Sequence, residues 1–265
     1  MKPRVLILTG FGLNCEVESS FAWEQVGATV HRVHLNDLVE DPAPLREARI
    51  LMFIGGFSFG DHLSSGHMFA HRIRHHLGDR LLDFIHAGGL ALGVCNGFQI
   101  MTKLGLLPGL DASLTQQVAL TQNDCGTFQN RWVTLGFDPA SPCIFTRGLS
   151  TLDLPVRHGE GKLLVPDRTL LDAIKKKGCA VCHYLDPHTG APTQTFPHNP
   201  NGSLEAIAGL CDPSGRCFGL MPHPEAFLFP ENHPRWEFPD VRASLQESPT
   251  GLQLFQNAVD YLRQS

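Results

Sequence analysis

The sequence predicts an α/β fold: a mostly parallel central sheet flanked by helices, with additional short β segments in the second half. Three observations carry this. Short apolar runs at Arg4–Leu8, Arg49–Ile54 and Leu90–Val94 lack the alternation of a half-exposed strand and read as strands buried on both faces. Helical patterns lie between the runs and after them. Glycines close most of these segments, as at Gly27, Gly55-Gly56 and Gly88-Gly89. Such alternation builds right-handed crossovers, which gather the carboxyl ends of the strands and their loops on one edge, where ligands bind. The loops at Gly10, Gly55 and Cys95 are therefore expected to cluster.

Element by element, Arg4–Leu8 is the first strand, ended by Thr9-Gly10. Residues 16–26 form a helix with Gly27 at its C′ position, and Ala28–His34 a second strand rich in β-favouring valine. Arg49–Ile54 is the third strand. Asp79–Ala87 is a helix with Leu81, Leu82 and Ile85 on one side; Leu90–Val94 is the fourth strand and Asn96–Leu104 the helix after it. Beyond residue 115 the β segments shorten, to Gln117–Thr121, Trp132–Leu135, Leu154–Val156 and Lys162–Val165. Asp167 caps a helix that runs to Lys177, with lysines in its last turn and Gly178 at C′. Ala180–Tyr184, Leu204–Leu210 and Cys217–Met221 are later strands, and Leu252, Phe255, Val259 and Leu262 keep helical spacing near the end. Residues 227–249, with several prolines and no period, read as a surface excursion. The pattern is taken as a single domain over residues 1–265.

Composition narrows the function. A formal charge of −5 gives no basic surface for nucleic acid or an anionic membrane, and no apolar run is long enough for a membrane span. Eight cysteines in 265 residues, without a recognisable export signal, are read as reduced thiols of a cytoplasmic protein. Cys179 and Cys182 form a lone CxxC, read as structural thiols on a strand. His71, His75 and His76 lack an acidic companion and read as a solvated helix face rather than a metal site.

Three segments carry chemistry. Leu90–Gln99 joins a buried strand to a helix through Gly93-Val94-Cys95-Asn96-Gly97, a cysteine form of the nucleophile elbow. There the helix N-terminus favours a thiolate at Cys95, and the Asn96 N–H faces a developing oxyanion. The plain alternative is a buried cysteine beside turn glycines. Met221-Pro222-His223-Pro224-Glu225 supplies a base and its orienter: side chains two apart in extended backbone share a side, and Pro224 keeps His223 extended. Here the alternative is a rigid polar loop. Ile54-Gly55-Gly56-Phe57-Ser58-Phe59-Gly60-Asp61 lets backbone amides approach a ligand, and the Gly56 N–H is assigned as second oxyanion donor, although a simple βα turn would read the same way.

Together these motifs resemble the class I, triad-type glutamine amidotransferases, and within them the glutaminase subunits of phosphoribosylformylglycinamidine synthase. Arg157-His158-Gly159-Glu160-Gly161-Lys162 and Asn199-Pro200-Asn201-Gly202-Ser203 support the narrower match, which covers nearly the whole chain. The sequence departs from that family at Ile54, where proline is usual, and at Phe59, where tyrosine is usual. The resemblance implies a flavodoxin-like sheet and a triad of Cys95 as nucleophile, His223 as general base and acid, and Glu225 as orienter. It also implies glutamine contacts from Gln99 and Gly55, and it leaves His158 and Glu160 without a derived role. The implied reaction is hydrolysis of L-glutamine in de novo purine synthesis. No nucleotide-binding motif is read in the chain, so no cofactor or metal is expected here; ATP and magnesium are expected on a large synthetase subunit, with a small bridging subunit between. Two other readings compete. One is a glutaminase or cysteine hydrolase of another pathway, against which the purine-type motifs and His-x-Glu argue. The other is a non-catalytic regulatory subunit, against which the complete triad argues.

Overall fold

The computed structural model describes residues 2–111 and 113–264. Its elements, in chain order, begin with β1 (Arg4–Thr9), α1 (Glu16–Gln25), β2 (Thr29–His34), α2 (Leu35–Glu40), α3 (Ala43–Glu47), β3 (Ile50–Phe53), α4 (His67–His86), β4 (Leu90–Val94) and α5 (Asn96–Leu104). There follow β5 (Ala119–Thr121), β6 (Gln129–Phe137), β7 (Thr151–His158), β8 (Lys162–Leu164), α6 (Arg168–Lys176), β9 (Ala180–Leu185), β10 (Ile207–Cys211), β11 (Cys217–Leu220), α7 (Pro239–Glu247) and α8 (Leu252–Gln264).

Nine strands form one sheet in the order β2-β1-β3-β4-β11-β10-β9-β6-β7. The half from β2 to β11 is parallel. From β11 onward the pairing is antiparallel, so most second-half strands extend the central sheet, β6 and β7 running longer than the short segments expected there, while β5 and β8 pair apart from it. In the parallel half β3 and β4 are buried at every position, as strands covered on both faces must be. Neighbouring residues of β3 show the two layers. The Trp23 indole of α1 donates to Met52 Sδ at 3.0 Å and stacks edge-on against Phe255 of α8, whereas Phe53 abuts Gly97 of α5.

The loops at Gly10, Gly55 and Cys95 meet as the strand directions require. Phe57 N–H donates to the Gly12 carbonyl at 2.8 Å, Asn14 N–H to the Gly55 carbonyl at 3.2 Å, and Leu13 bridges Gly56.

Several boundaries differ from expectation. The helix expected over Asp79–Ala87 is the last part of α4, which starts at His67 and buries Phe69, Ala70, Ile73 and Leu77 in its earlier turns. The strand expected from Leu204 begins at Ile207, because Glu205 and Ala206 hold positive φ in a 3-10 turn. The short helices α2 and α3 were not expected. Within the 227–249 excursion α7 is helical, yet it buries no residue and stays at the surface. His71, His75 and His76 are exposed, and Cys179 and Cys182 are buried free thiols.

Candidate active site

Strands β3, β4 and β11 lie side by side and parallel, so the segments leaving their carboxyl ends are neighbours. Those segments carry Gly55-Gly56, Cys95 and His223.

Cys95 sits between β4 and α5 at φ 52° and ψ −108°, a strained conformation for a residue with a side chain. Packing enforces the turn from both sides. A Cβ on Gly97 would stand 1.9 Å from the Phe53 carbonyl oxygen, and one on Gly93 would stand 2.5 Å from Met101 Sδ and 2.8 Å from the Gly97 carbonyl. The Cys95 amide is held by the Leu220 carbonyl at 2.9 Å, and its thiol faces the Arg157 carbonyl at 3.5 Å. As first residue of α5, Asn96 offers a backbone N–H that the helix leaves unpaired.

His223 follows β11 in extended backbone, its amide anchored to the Pro155 carbonyl at 2.8 Å. Its Nδ1 meets Glu225 Oε1 at 2.6 Å, and both residues are buried. A carboxylate at that distance fixes the ring's orientation and favours the tautomer with hydrogen on Nδ1, which leaves Nε2 for chemistry. Burial works against a proton on His223, but the Glu225 carboxylate, and behind it the Cys95 and Cys15 thiols, favour one. The net effect raises His223 well above its ordinary value, so a ring that takes up the Cys95 proton holds it for the leaving amine.

Gly55 is where these groups converge. A Cβ there would lie 2.9 Å from His223 Cε1, 3.0 Å from Cys15 Sγ and 3.6 Å from Cys95 Cβ, so the position tolerates no side chain. Gly55 is thus a spacer between the catalytic candidates. Gly56 instead lines a cavity of about 130 Å³ together with Cys95, Gln99, Asp61, Arg157 and Glu160. A cavity of about 530 Å³, lined by Arg49, Arg80 and Phe84, lies at the other end of β3 and β4, away from these thiols, and does not compete as the site.

Side chains of α5 brace the cavity. The Asn96 side chain accepts from Ser58 N–H at 3.3 Å and donates to Asp61 Oδ1 at 3.2 Å and to Gln99 Oε1 at 2.8 Å. Gln99 in turn donates to the Glu160 carbonyl at 2.5 Å, so its carboxamide is committed to bracing the wall it forms. Glu160 Oε2 accepts from Ser65 N–H at 3.2 Å. Burial raises the Asp61 carboxyl, which Glu160 pushes further up, although hydrogen bonds from Ser65 and others partly offset this. His158 is a buried part of the same wall, with Nδ1 at 3.1 Å from Asn123 Oδ1; burial and the nearby His223 charge push it down to about 3.

The structure therefore brings Cys95, His223, Glu225, Gly55, Gly56, Asn96 and Gln99 into one place. It adds Cys15, Asp61, Ser65 and Glu160, which the sequence reading left unassigned. Cys15 had one indirect pointer, its place just after the first strand's carboxyl end, on the edge where ligands gather. Among the described residues no helix is long and apolar enough to cross a membrane.

Comparisons with known proteins place the chain among glutamine amidotransferases. Residues 2–262 match the family described as the CobB/CobQ-like glutamine amidotransferase domain. The chain is similar to the phosphoribosylformylglycinamidine synthase subunit PurQ of Dehalococcoides mccartyi, 43% identical over 263 residues that span 99% of each chain. It is similar to PurQ of Methanococcus maripaludis, 39% identical over 269 residues, 98% of this chain and 99% of that protein. Among solved structures it resembles a chain of the PurLQS structure from Thermotoga maritima, with a TM-score of 0.70 and 28% identity, covering 99% of this chain and 100% of that one.

Proposed function

We infer the function from one premise: the chain belongs to the CobB/CobQ-like glutamine amidotransferase family. It is a glutamine-hydrolysing subunit of phosphoribosylformylglycinamidine synthase, serving purine biosynthesis, as its full-length likeness to PurQ proteins supports. The observation that carries the residue assignment is the meeting of Cys95, on its strained turn, with the buried His223–Glu225 pair at the ends of adjacent strands.

In the reaction, L-glutamine enters the cavity beside Cys95 with its α-ammonium group toward the carboxylates of Asp61 and Glu160. His223 takes the Cys95 proton, and the thiolate forms a bond to the substrate's δ-carbon. The resulting oxyanion lies between the backbone N–H groups of Gly56 and Asn96; one such donor is worth roughly 100- to 1,000-fold in rate. His223 then passes its proton to the amide nitrogen, the C–N bond breaks, and ammonia leaves. Water, its proton taken by His223, attacks the γ-glutamyl thioester and releases glutamate and free Cys95. Glu225 holds the ring through both halves, and the network from Gln99 to Glu160 keeps the cavity wall in place.

The ammonia is consumed on another polypeptide. A large synthetase subunit that binds ATP and magnesium, with a small bridging subunit, is the assembly we assign, and the PurLQS complex of the solved relative supports it. Reconstitution tests the whole reading. Ammonia release from glutamine should rise when the synthetase is added and vanish in Cys95→Ala; near-parental turnover in that variant would contradict it.

A further inference from the structure

Cys15 stands beside the reacting groups yet takes part in none of the steps above. It ends the loop after β1, immediately before α1, and is buried with 6% exposure. Its Sγ, a ring nitrogen of His223 and a carboxylate oxygen of Glu225 all lie within 4.8 Å of one another. His223 and Glu225 are 2% and 3% exposed, and His223 Nε2 and Glu225 Oε2 are buried without a hydrogen-bond partner. Leaving a buried carboxylate oxygen unsatisfied is costly, and a cation beside Glu225 Oε2 would remove that cost. Gly55 keeps the gap open, since any side chain there would lie against both Cys15 Sγ and the His223 ring.

We propose that Cys15, His223 and Glu225 form an inhibitory site for a thiophilic divalent cation of the Zn²⁺ type, one that silences the glutaminase centre when occupied. The inference rests on the assignment of His223 as proton carrier. A sulfur, an imidazole nitrogen and a carboxylate oxygen make a three-ligand set that suits zinc and leaves a fourth position for water. Magnesium and calcium, which take oxygen ligands, do not fit it. Zinc–sulfur and zinc–nitrogen bonds of about 2.3 and 2.0 Å bring ligand atoms to roughly 3.5 Å apart, so side-chain adjustments of about an ångström close the site. Binding is a proton-for-metal exchange: the Cys15 S–H and the ring N–H facing the ion give their protons to solvent as the sulfur–metal and nitrogen–metal bonds form. A ring drawn onto the metal, with Glu225 taken from it as orienter, loses the alignment that proton transfer to and from Cys95 requires.

Cobalt(II) titration of the full chain tests the proposal, because thiolate ligation gives a charge-transfer absorption that does not depend on turnover. The expected result is one thiolate-bound cobalt in the parent and in Cys95→Ala, with the absorption lost in both Cys15→Ser and Cys15→Ala. Zn²⁺ should then lower glutamine hydrolysis about tenfold or more in the parent and less than about twofold in Cys15→Ala. Circular dichroism of each variant checks that it is folded. Absorption that survives in folded Cys15→Ala would place the metal on another thiol and overturn the proposal, as would absorption lost in Cys95→Ala. Failure of the glutaminase reading would show separately, as absent ammonia release in metal-free parent protein with the cobalt spectrum unchanged.

Discussion

Replacing Glu225 by glutamine probes the buried pair with little change of shape. In the parent, Oε1 sits 2.6 Å from His223 Nδ1, and both side chains are shielded from water. The carboxylate does two things there: it accepts the Nδ1 hydrogen, and it stabilises the charge on the ring while His223 carries a proton. A glutamine amide can turn either its oxygen or its NH₂ group toward Nδ1. With NH₂ presented, the ring hydrogen moves to Nε2, the nitrogen that must receive the proton of Cys95. Carboxylate-to-amide changes in catalytic triads cost ~10⁴-fold in kcat for this reason. At about 1.4 kcal/mol per tenfold, that is roughly 5.5 kcal/mol of lost transition-state stabilisation. Glu225→Gln should thus lower kcat for ammonia release by about 10³- to 10⁴-fold and change KM little, because Glu225 does not line the cavity. The assay is single-turnover and steady-state ammonia release, with thermal unfolding run alongside. A folded Glu225→Gln protein within about tenfold of parental kcat would refute the assigned role of the pair.

Further predictions concern the turn and the cavity wall. Gly97→Ala would drive a methyl group to 1.9 Å from the Phe53 carbonyl, where backbone and not a flexible side chain must yield; a loss of about 3 kcal/mol or more is expected in denaturant unfolding, and an unchanged midpoint would contradict the packing account. His158, pushed down to about 3 by burial, stays neutral in the fold while the unfolded chain takes up a proton near 6.5. Its contribution is therefore complete above about pH 6.5 and is lost as pH falls toward 3, at up to about 1.4 kcal/mol per unit. Folded His158→Gln should accordingly lose about 2 kcal/mol less than the parent between pH 7 and 5, and identical slopes for the two would count against it.

Much of this was legible in the sequence, for reasons that differ by residue. Buried parallel strands must be apolar throughout, so β1, β3 and β4 stood out as runs. The Cys95 turn stood out because only glycine fits at 93 and 97, and His223 with Glu225 because a proline fixes the backbone between them. Other features depend on packing that the local pattern does not encode. The first turns of α4 carry Phe69, Ile73 and Leu77 on one stripe but interleave them with five histidines and arginines, which masks the amphipathic signal, and the helix opens at Gly66 without a side-chain cap. The 3-10 turn at 204–206 exists because Glu205 and Ala206 adopt positive φ, which neither residue favours locally. Cys15 is distant in sequence from both Cys95 and His223, and only the adjacency of β1 and β3 brings its loop to Gly55. Gln99, expected to hold substrate, lines the cavity and also braces Asn96 and Glu160, a second contact set by α5 spacing and the return of the chain at 160.

The central claim is that Cys95, alone among eight thiols, forms the bond to glutamine's δ-carbon. It is tested most directly by reacting the full chain with an electrophilic glutamine analogue and mapping the adduct by mass spectrometry. The account predicts one adduct, on Cys95, formed at a rate that glutamine suppresses. An adduct on Cys15 or any other cysteine, with Cys95 unmodified, would contradict it.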